Sequence, residues 1–382
     1  MKRGSTGLYK TISTAGETCN AFIPNPLPPD PPIAIDNELL LALDKASQAI
    51  GKLDGLATAL PEPSLFLYMY IRKEAVMSSQ IEGTQSTLTD LLLFESNQAP
   101  GVPIDDVREV SNYVAAMDHG LKLLDDGLPL SNRLFREIHS VLLAQGRGSS
   151  KTPGEFRKSQ NWIGGSRPGT ARFVPPPPET ILDCMSNLEK YVHSDTPQTP
   201  LLIKVALIHV QFETIHPFLD GNSRLGRLII PLFLYTNGVL SEPLLYLSLY
   251  FKTYRDTYYD LLQQVRTEGR WEEWLIFFLT GVTETAEQCV DITQKAIALF
   301  NTHEAILQQY GRKSSSLLRI HKFLQRHLIS SIPKIAAELK LSYPAVKSAV
   351  EELKDAKIIV ELTGKERNKL YSYADFVSLL NL

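Results

Sequence analysis

The segment that most constrains this chain runs from His209 to Arg227, HVQFETIHPFLDGNSRLGR. His216 precedes Pro217, and a residue before proline is disfavoured in the α region, so the preceding helix ends at or before His216. Leu219-Asp220-Gly221-Asn222 is a turn signature, and SRLGRLIIPLF resumes apolar residues at helical spacing. The stretch therefore predicts helix, tight loop, helix, with an imidazole at the loop. Unpaired N–H groups and the positive end of the dipole make the start of the second helix an anion site. Arg224 and Arg227 are three apart and share a face one turn in. Two guanidiniums beside a helix N-terminus suit a polyphosphate. Asp220 beside them suits Mg²⁺, which takes one or two carboxylates plus phosphate oxygens. His216, with an ordinary pKa of about 6.5, suits proton acceptance at neutral pH.

The rest of the sequence predicts a mostly helical chain in four parts. Residues 1–35 carry six prolines and read as an extended arm rather than a helix or central strand. Residues 36–110 form an N-terminal helical region, with helices beginning near Asn37 and over 64–80, 87–96 and from 103. Ser64 is the N-cap expected for the second of these. Residues 111–310 hold further helices over 130–145, 179–194, 199–212, from Gly221, 247–268 and 271–310. Between 151 and 178 the Gly/Pro-rich texture reads as a loop or short β-hairpin. Residues 311–382 contain 13 Lys+Arg against 7 Asp+Glu, a net of +6, whereas the remainder carries −9. Their pattern of three short helices, strand, turn and strand is the layout of a winged helix-turn-helix. Its helix from Ser342, with Lys347, Lys354 and Lys357, and the wing residues Lys365, Arg367 and Lys369 allow DNA contact, although Glu351, Glu352 and Asp355 oppose it. Winged helices also serve as protein docks.

Composition narrows the function classes. The hydrophobic fraction is 43%, the charged fraction 21% and the net charge −3, so neither disorder nor a global field toward nucleic acid or membrane is expected. Cys19, Cys184 and Cys289 lie far apart, which fits reduced thiols better than disulfides or zinc. Leu228–Phe251 is too interrupted to span a membrane, and a cytoplasmic protein is the default expectation. Trp271, Trp274, Phe277 and Phe278 read as core. His209 reads as buried and hydrogen-bonded, whereas Tyr254, Tyr258 and Tyr259 read as packing residues, one of which could line an adenine pocket. Arg157 and Arg172 either support the 151–178 segment or meet a target.

HPFLDGNSRLGR resembles the signature of the Fic family, HxFx(D/E)GNGRxxR, with Ser223 where the family usually has glycine. SSQIEGT, from Ser78 to Thr84, is similar to the family's (S/T)xxxE(G/N) inhibitory motif. GEFRKSQNWIGG followed by ARFVPPPP is similar to its flap, and the resemblance covers roughly residues 35–300. It implies a Fic-type helical core with a short β-hairpin flap, and transfer of AMP from ATP to a Tyr, Thr or Ser hydroxyl of a protein target. It also implies His216 as general base and Asp220 as the Mg²⁺ ligand. The ATP site would comprise Glu82, His216, Pro217, Phe218, Leu219, Asp220, Gly221, Asn222, Ser223, Arg224 and Arg227. Within it, Gly221, Asn222 and Ser223 would hold the α-phosphate, Arg224 the outer phosphates and Arg227 the γ-phosphate. Phe218 would pack under the loop. The flap, about Gln160 to Val174, would dock the target's backbone.

Ser78 and Glu82 are four apart on one helix face, near the end whose dipole disfavours an anion. The resemblance implies that Glu82 pairs with Arg227 and thereby inhibits; in some relatives the same glutamate assists removal of AMP. Fic proteins of this layout often dimerise. A serine at 223 is tolerated if the position is helical and strained if it needs a positive φ. A phosphotransferase branch carries lysine there, which serine does not match. The competing reading is a nucleotide-sensing, DNA-binding regulator acting through the C-terminal winged helix.

Overall fold

The computed structural model describes residues 3–60, 63–96, 101–195, 198–364 and 367–380. The N-cap expected at Ser64 rests on a side chain outside the described residues, as does Lys365. The chain opens with two strands, β1 (Gly7–Thr14) and β2 (Glu17–Pro24). They pair antiparallel from Gly7↔Pro24 to Thr14↔Glu17. This corrects the extended-arm expectation for residues 1–35: only the stretch beyond Pro24 is proline-led coil. A two-residue Ala15-Gly16 turn closes the hairpin with both φ values positive, at 49° and 77°. Such a turn matches the right-handed twist of paired strands.

Helices then follow in quick succession: α1 (Asn37–Ala59), α2 (Pro63–Ile81), α3 (Leu88–Glu95), α4 (Ile104–Asp125), α5 (Asn132–Leu142), α6 (Ile181–Val192), α7 (Leu201–Ile215) and α8 (Asn222–Thr236). Side chains cap the starts of α1, α3 and α5. Asp36 accepts from the Leu39 amide at 2.9 Å, and Thr87 and Asp90 form a reciprocal capping box. Every residue of α7 from Leu202 to Ile215 is buried. That is the environment its near-continuous apolar sequence demands, and it makes α7 the centre of the bundle, packed on α6 and α8.

The single helix expected over 247–268 is broken. It forms α9 (Ser248–Thr253) and α10 (Arg255–Glu268), with Tyr254 at φ −107°, ψ 40° between them. Aromatic packing accounts for the break. Tyr250 sits 4.8 Å from Tyr254 and 4.9 Å from Phe277, while Phe251 stacks on Tyr258 at 4.5 Å. The long α11 (Trp271–Gln308) lies along α1, with Trp271 and Trp274 in the core as expected and Phe277 partly buried.

Beyond it come α12 (Ser314–His327), β3 (Ile329–Ser331), α13 (Ile332–Leu339), α14 (Tyr343–Asp355), β4 (Val360–Glu361), β5 (Leu370–Ser372) and α15 (Ala374–Leu380). The three strands form one antiparallel sheet in the order β3-β5-β4. Tyr373 ties this unit to α11, its hydroxyl lying 2.7 Å from His303 Nδ1 and 3.0 Å from His321 Nε2. Among the described residues no helix is long and apolar enough to cross a membrane.

A buried ion pair at Arg3 helps to fasten the N-terminal segment. Arg3 places two N–H groups on Glu272, at 2.5 and 2.6 Å, and two more on the carbonyls of Pro31 and Pro32, at 2.9 and 2.7 Å. Glu272 also accepts from the Ala34 amide at 2.8 Å. Replacing Glu272 with alanine leaves the buried guanidinium without an anion, which costs about 3 kcal/mol for such a pair. Glu272→Ala should therefore lower the thermal midpoint and speed amide exchange across residues 7–34, read by calorimetry and hydrogen–deuterium exchange.

Candidate active site

The loop between α7 and α8 is held by hydrogen bonds to its own backbone groups. His216 caps α7 in the left-handed region, at φ 50° and ψ 59°, with its N–H on the Phe212 carbonyl at 2.9 Å. The Asn222 amide then clasps Phe218 from both sides. Its Oδ1 accepts from the Phe218 N–H at 2.8 Å and its Nδ2 donates to the Phe218 carbonyl at 2.9 Å. Asn222 is thus a loop clasp, and the Gly221 N–H is taken by Asp220 Oδ1 at 2.6 Å. Gly221, at φ 75°, makes the final turn into α8.

Phe218 is fully buried, as expected, and its ring stacks on His139 with centroids 3.7 Å apart. His139 was not legible as a site residue. Its Nδ1 accepts from the Gly154 amide at 2.8 Å and its Nε2 lies 2.9 Å from the Asp220 carbonyl, so a neutral ring bridges the two loops. Burial lowers its pKa to about 4.

A cleft of about 580 Å³ opens over this loop. Its walls include His216, Leu219, Asp220, Gly221, Asn222, Ser223 and Arg224, with Trp162 and Phe173 from the flap and Tyr259 from α10. Of the three tyrosines considered for an adenine pocket, Tyr259 is the one on this wall. Arg227 lies behind it. The Arg227 guanidinium is buried, donating to Ser78 Oγ at 2.9 Å, to the Ser78 carbonyl at 2.9 Å and to Glu82 Oε1 at 3.1 Å. Glu82 stands at the cleft wall instead. Ser78 and Glu82 are therefore brought to Arg227 from α2 and the turn that follows it.

Arg224 is also held by anions. Its Nη1 lies 3.1 Å from Glu109 Oε2 and its Nη2 lies 3.4 Å from Asp220 Oδ1. Glu109, which reasoning from sequence missed, also binds Arg147 at 3.0 Å. A glutamate on the apolar face of α4 was the available signal, because a buried carboxylate demands a cation. Burial pushes the Glu109 pKa up against the pull of both arginines. Two guanidinium nitrogens, Arg224 Nε and Arg227 Nη1, are buried with no partner. Asp220 stands on the cleft wall with its Oδ1 on the Gly221 N–H and near Arg224, and among the described residues no group of three or more acidic, His or Cys side chains gathers that could hold a metal ion.

Ser223 lies inside α8 and has no positive φ, so the departure from glycine introduces no backbone strain. Its hydroxyl donates to Glu213 Oε2 at 3.1 Å. Glu213 is buried, and its Oε1 has no partner and sits where a Cβ on Gly226 would come within 2.4 Å. The flap pairs only once, at Ile163↔Phe173, so the expected short hairpin is reduced to a bridge. Gly164 and Gly165, at φ 66° and 121°, turn the chain before strands can lengthen. Phe22 of β2 continues the pairing, donating to the Val174 carbonyl at 2.9 Å. Glu17 holds the flap tip, accepting from Arg167 at 2.9 Å and from the Gly169 amide at 2.8 Å. Arg157 is buried and bonded to backbone, whereas Arg172 is exposed and pairs with Asp260. His209 is buried as expected, 3.0 Å from the Gly226 carbonyl and 2.9 Å from the Tyr258 hydroxyl.

The charges of the cleft shape its titration. His216 is lowered to about 3, by burial first and then by Arg157 and Arg266, so its imidazole is neutral at physiological pH. Glu213 moves the other way. Burial raises it from 4.5 to about 7, opposed by Arg227. A carboxyl whose folded pKa lies above its unfolded one stabilises the fold most below the unfolded value, and that contribution is lost as pH rises through the folded value. The 2.5-unit gap corresponds to roughly 3 kcal/mol lost between about pH 4.5 and pH 7. Glu213→Gln should remove this loss. Its stability relative to wild type should rise between pH 5 and pH 8, read by denaturant unfolding at both values.

Comparison with known proteins agrees with this geometry. A model of the Fic/DOC family N-terminal region matches residues 40–122, and one of the Fic/DOC family matches residues 129–234. The protein adenylyltransferase Fic of Drosophila virilis is 26% identical over 304 residues, 79% of this chain and 57% of that protein. The protein of the same name from Culex quinquefasciatus is 30% identical over 243 residues, 62% of this chain and 44% of that protein. The chain thus spans about half the length of the curated relatives it matches. A Fic family protein from Desulfovibrio desulfuricans superimposes with a TM-score of 0.58 at 18% identity, covering 89% of this chain and 97% of that one. A Fic domain containing signaling protein from Bacteroides thetaiotaomicron does so with a TM-score of 0.53 at 20% identity, covering 66% and 96%. These two likenesses concern the fold. With both family models on adjoining segments and the signature loop seated at the floor of the cleft, the chain belongs to the Fic/DOC family.

Proposed function

We propose that the chain is a protein adenylyltransferase, moving AMP from ATP to a hydroxyl side chain of a protein and held in check by Glu82. The observation that carries the reading is the convergence of His216, Asp220, the α8 N-terminus and Arg224 on one cleft. A neutral imidazole is the form that accepts a proton. The target hydroxyl attacks the α-phosphorus of ATP, the bond from that phosphorus to the bridging oxygen breaks, pyrophosphate leaves and the proton passes to His216. A base as weak as His216 in the nucleotide-free cleft gains strength when a triphosphate adds negative charge beside it.

The amides at the start of α8, Asn222 and Ser223, and Arg224 answer the charge that builds on the phosphates. Asp220, one half-exposed carboxylate, fits Mg²⁺, which usually enters such sites with its substrate phosphates. That ion, when bound, would neutralise phosphate charge. Glu82 occupies Arg227 at 3.1 Å, so the guanidinium meant for the γ-phosphate is taken. The relatives named protein adenylyltransferase support the same chemistry. The C-terminal unit fits a winged helix, in which Glu352 pairs with Lys313 and Glu351 with Lys354.

The test is incubation of the purified chain with Mg²⁺ and ATP labelled at the α-phosphate. Label on protein should rise about tenfold or more in Glu82→Gly, equivalent to at least 1.4 kcal/mol of barrier, and vanish in His216→Ala. Equal labelling of wild type and Glu82→Gly would sink the inhibitory role. No label in any variant that still binds ATP would sink transfer and favour the nucleotide-sensing, DNA-binding reading.

A further inference from the structure

The base-bearing turn is gripped from the flap side. Three successive carbonyls, those of His216, Pro217 and Phe218, each accept a hydrogen bond from a flap residue. Arg157 Nε donates to His216 at 2.9 Å, the Arg157 amide to Pro217 at 2.9 Å, and Asn161 Nδ2 to Phe218 at 3.0 Å. The remaining arms of the Arg157 fork return to the flap itself. They reach the Pro176 carbonyl at 2.6 Å and the Ser159 carbonyl at 3.2 Å. Arg157 is only 2% exposed and has no carboxylate partner among the described residues. Burying an arginine to bind carbonyls alone is an expensive way to close a loop, and its pKa is lowered to about 10 by that burial.

The need for such a grip lies in His216. A non-glycine residue at φ 50° costs roughly 1–3 kcal/mol and persists only where its surroundings over-determine it. Standing before Pro217 restricts it further. Its ring Nδ1 is buried without a hydrogen-bond partner, so that atom adds nothing to the restraint. The charged groups around the ring are Arg157 from the flap, Arg266 from α10, and Glu213, Asp220 and Arg224 from α7, the loop and α8. Of these, Arg157 is the one bonded to the His216 backbone.

We propose that Arg157 is the positioning residue of this site: its guanidinium fork holds His216 in the strained conformation that presents the base, and makes the base and the flap one mechanical unit. A target segment docking on the flap then acts directly on the turn that carries the base. The inference rests on His216 being the base, and goes beyond that assignment by naming what holds it.

Arg157→Lys and Arg157→Met, each in the Glu82→Gly background, test it. Lysine keeps the charge and most of the stem but cannot reach three carbonyls in a plane. We expect kcat for AMP transfer to fall at least tenfold in both, with KM for ATP within twofold, because the phosphate-facing groups of 220–224 are untouched. The second readout is the His216 ring resonance in histidine-labelled protein, assigned by its loss in His216→Ala. In Arg157→Met its pKa should rise by about one unit as a neighbouring cation is lost. In Arg157→Lys the pKa should stay low while the resonance shifts or doubles. Full rescue of kcat by lysine would overturn the proposal, as would wild-type kcat and an unmoved His216 resonance in both variants. If the methionine variant fails to fold, the lysine variant decides. If Glu82→Gly itself transfers no AMP, the functional reading fails, while the resonance still reports whether Arg157 holds His216.

Discussion

Two guanidiniums buried at the N-terminal end of a helix set the terms for everything around them. Arg224 and Arg227 add two full charges to the partial positive charge of the α8 terminus, and each is only 2% exposed. Buried cations require anions, and the fold supplies them from widely separated parts of the chain: Glu82 after α2, Glu109 from α4, Asp220 from the loop itself. The two cations are therefore answered from within the chain. Under the proposed function, a phosphate would compete with these carboxylates for the same guanidiniums. The cleft and the N-terminal helices are thus electrostatically one object, although the two family models divide them at about residue 125.

Much of this was readable from residue order, because the chemistry is concentrated in twelve adjacent positions. Periodicity and proline placed α7 and α8, and the spacing of Ser78 and Glu82 placed both on the side of α2 that meets Arg227. What was not readable came from distance in sequence. His139 and Glu109 sit on amphipathic helices, where a lone polar residue looks like a boundary of the apolar face. Only packing reveals that one stacks under Phe218 and the other faces Arg224. The N-terminal hairpin was hidden for a different reason. Its Ala-Gly turn lacks the Asn or Asp that normally marks such a loop, and six prolines downstream dominate the local texture. The break at Tyr254 has no helix-breaking residue at all; it follows from aromatic rings that must meet Phe277.

The flap is held in place with little regular structure. It has one bridge of its own, yet it is fixed on three sides: by Arg157 and Asn161 to the turn that carries His216, by Phe22 to the hairpin, and by Glu17 at the tip. Arg266 lies 3.9 Å over the Phe173 ring and reaches Thr214 at 3.0 Å, so the base of the flap is pinned to the end of α7 as well. Glycines at the bend and rigid fastenings around it divide the work.

Ser223 carries a consequence for how this chain compares with its relatives. Its hydroxyl is the sole side-chain donor to Glu213 among the described residues, and the other carboxyl oxygen already lacks a partner. A glycine at 223 would complete the family signature and at the same time take from a buried acid its side-chain hydrogen bond. The unusual letter and the buried glutamate are therefore an epistatic pair, and their effects should not add. Position 223 is therefore best interpreted together with position 213.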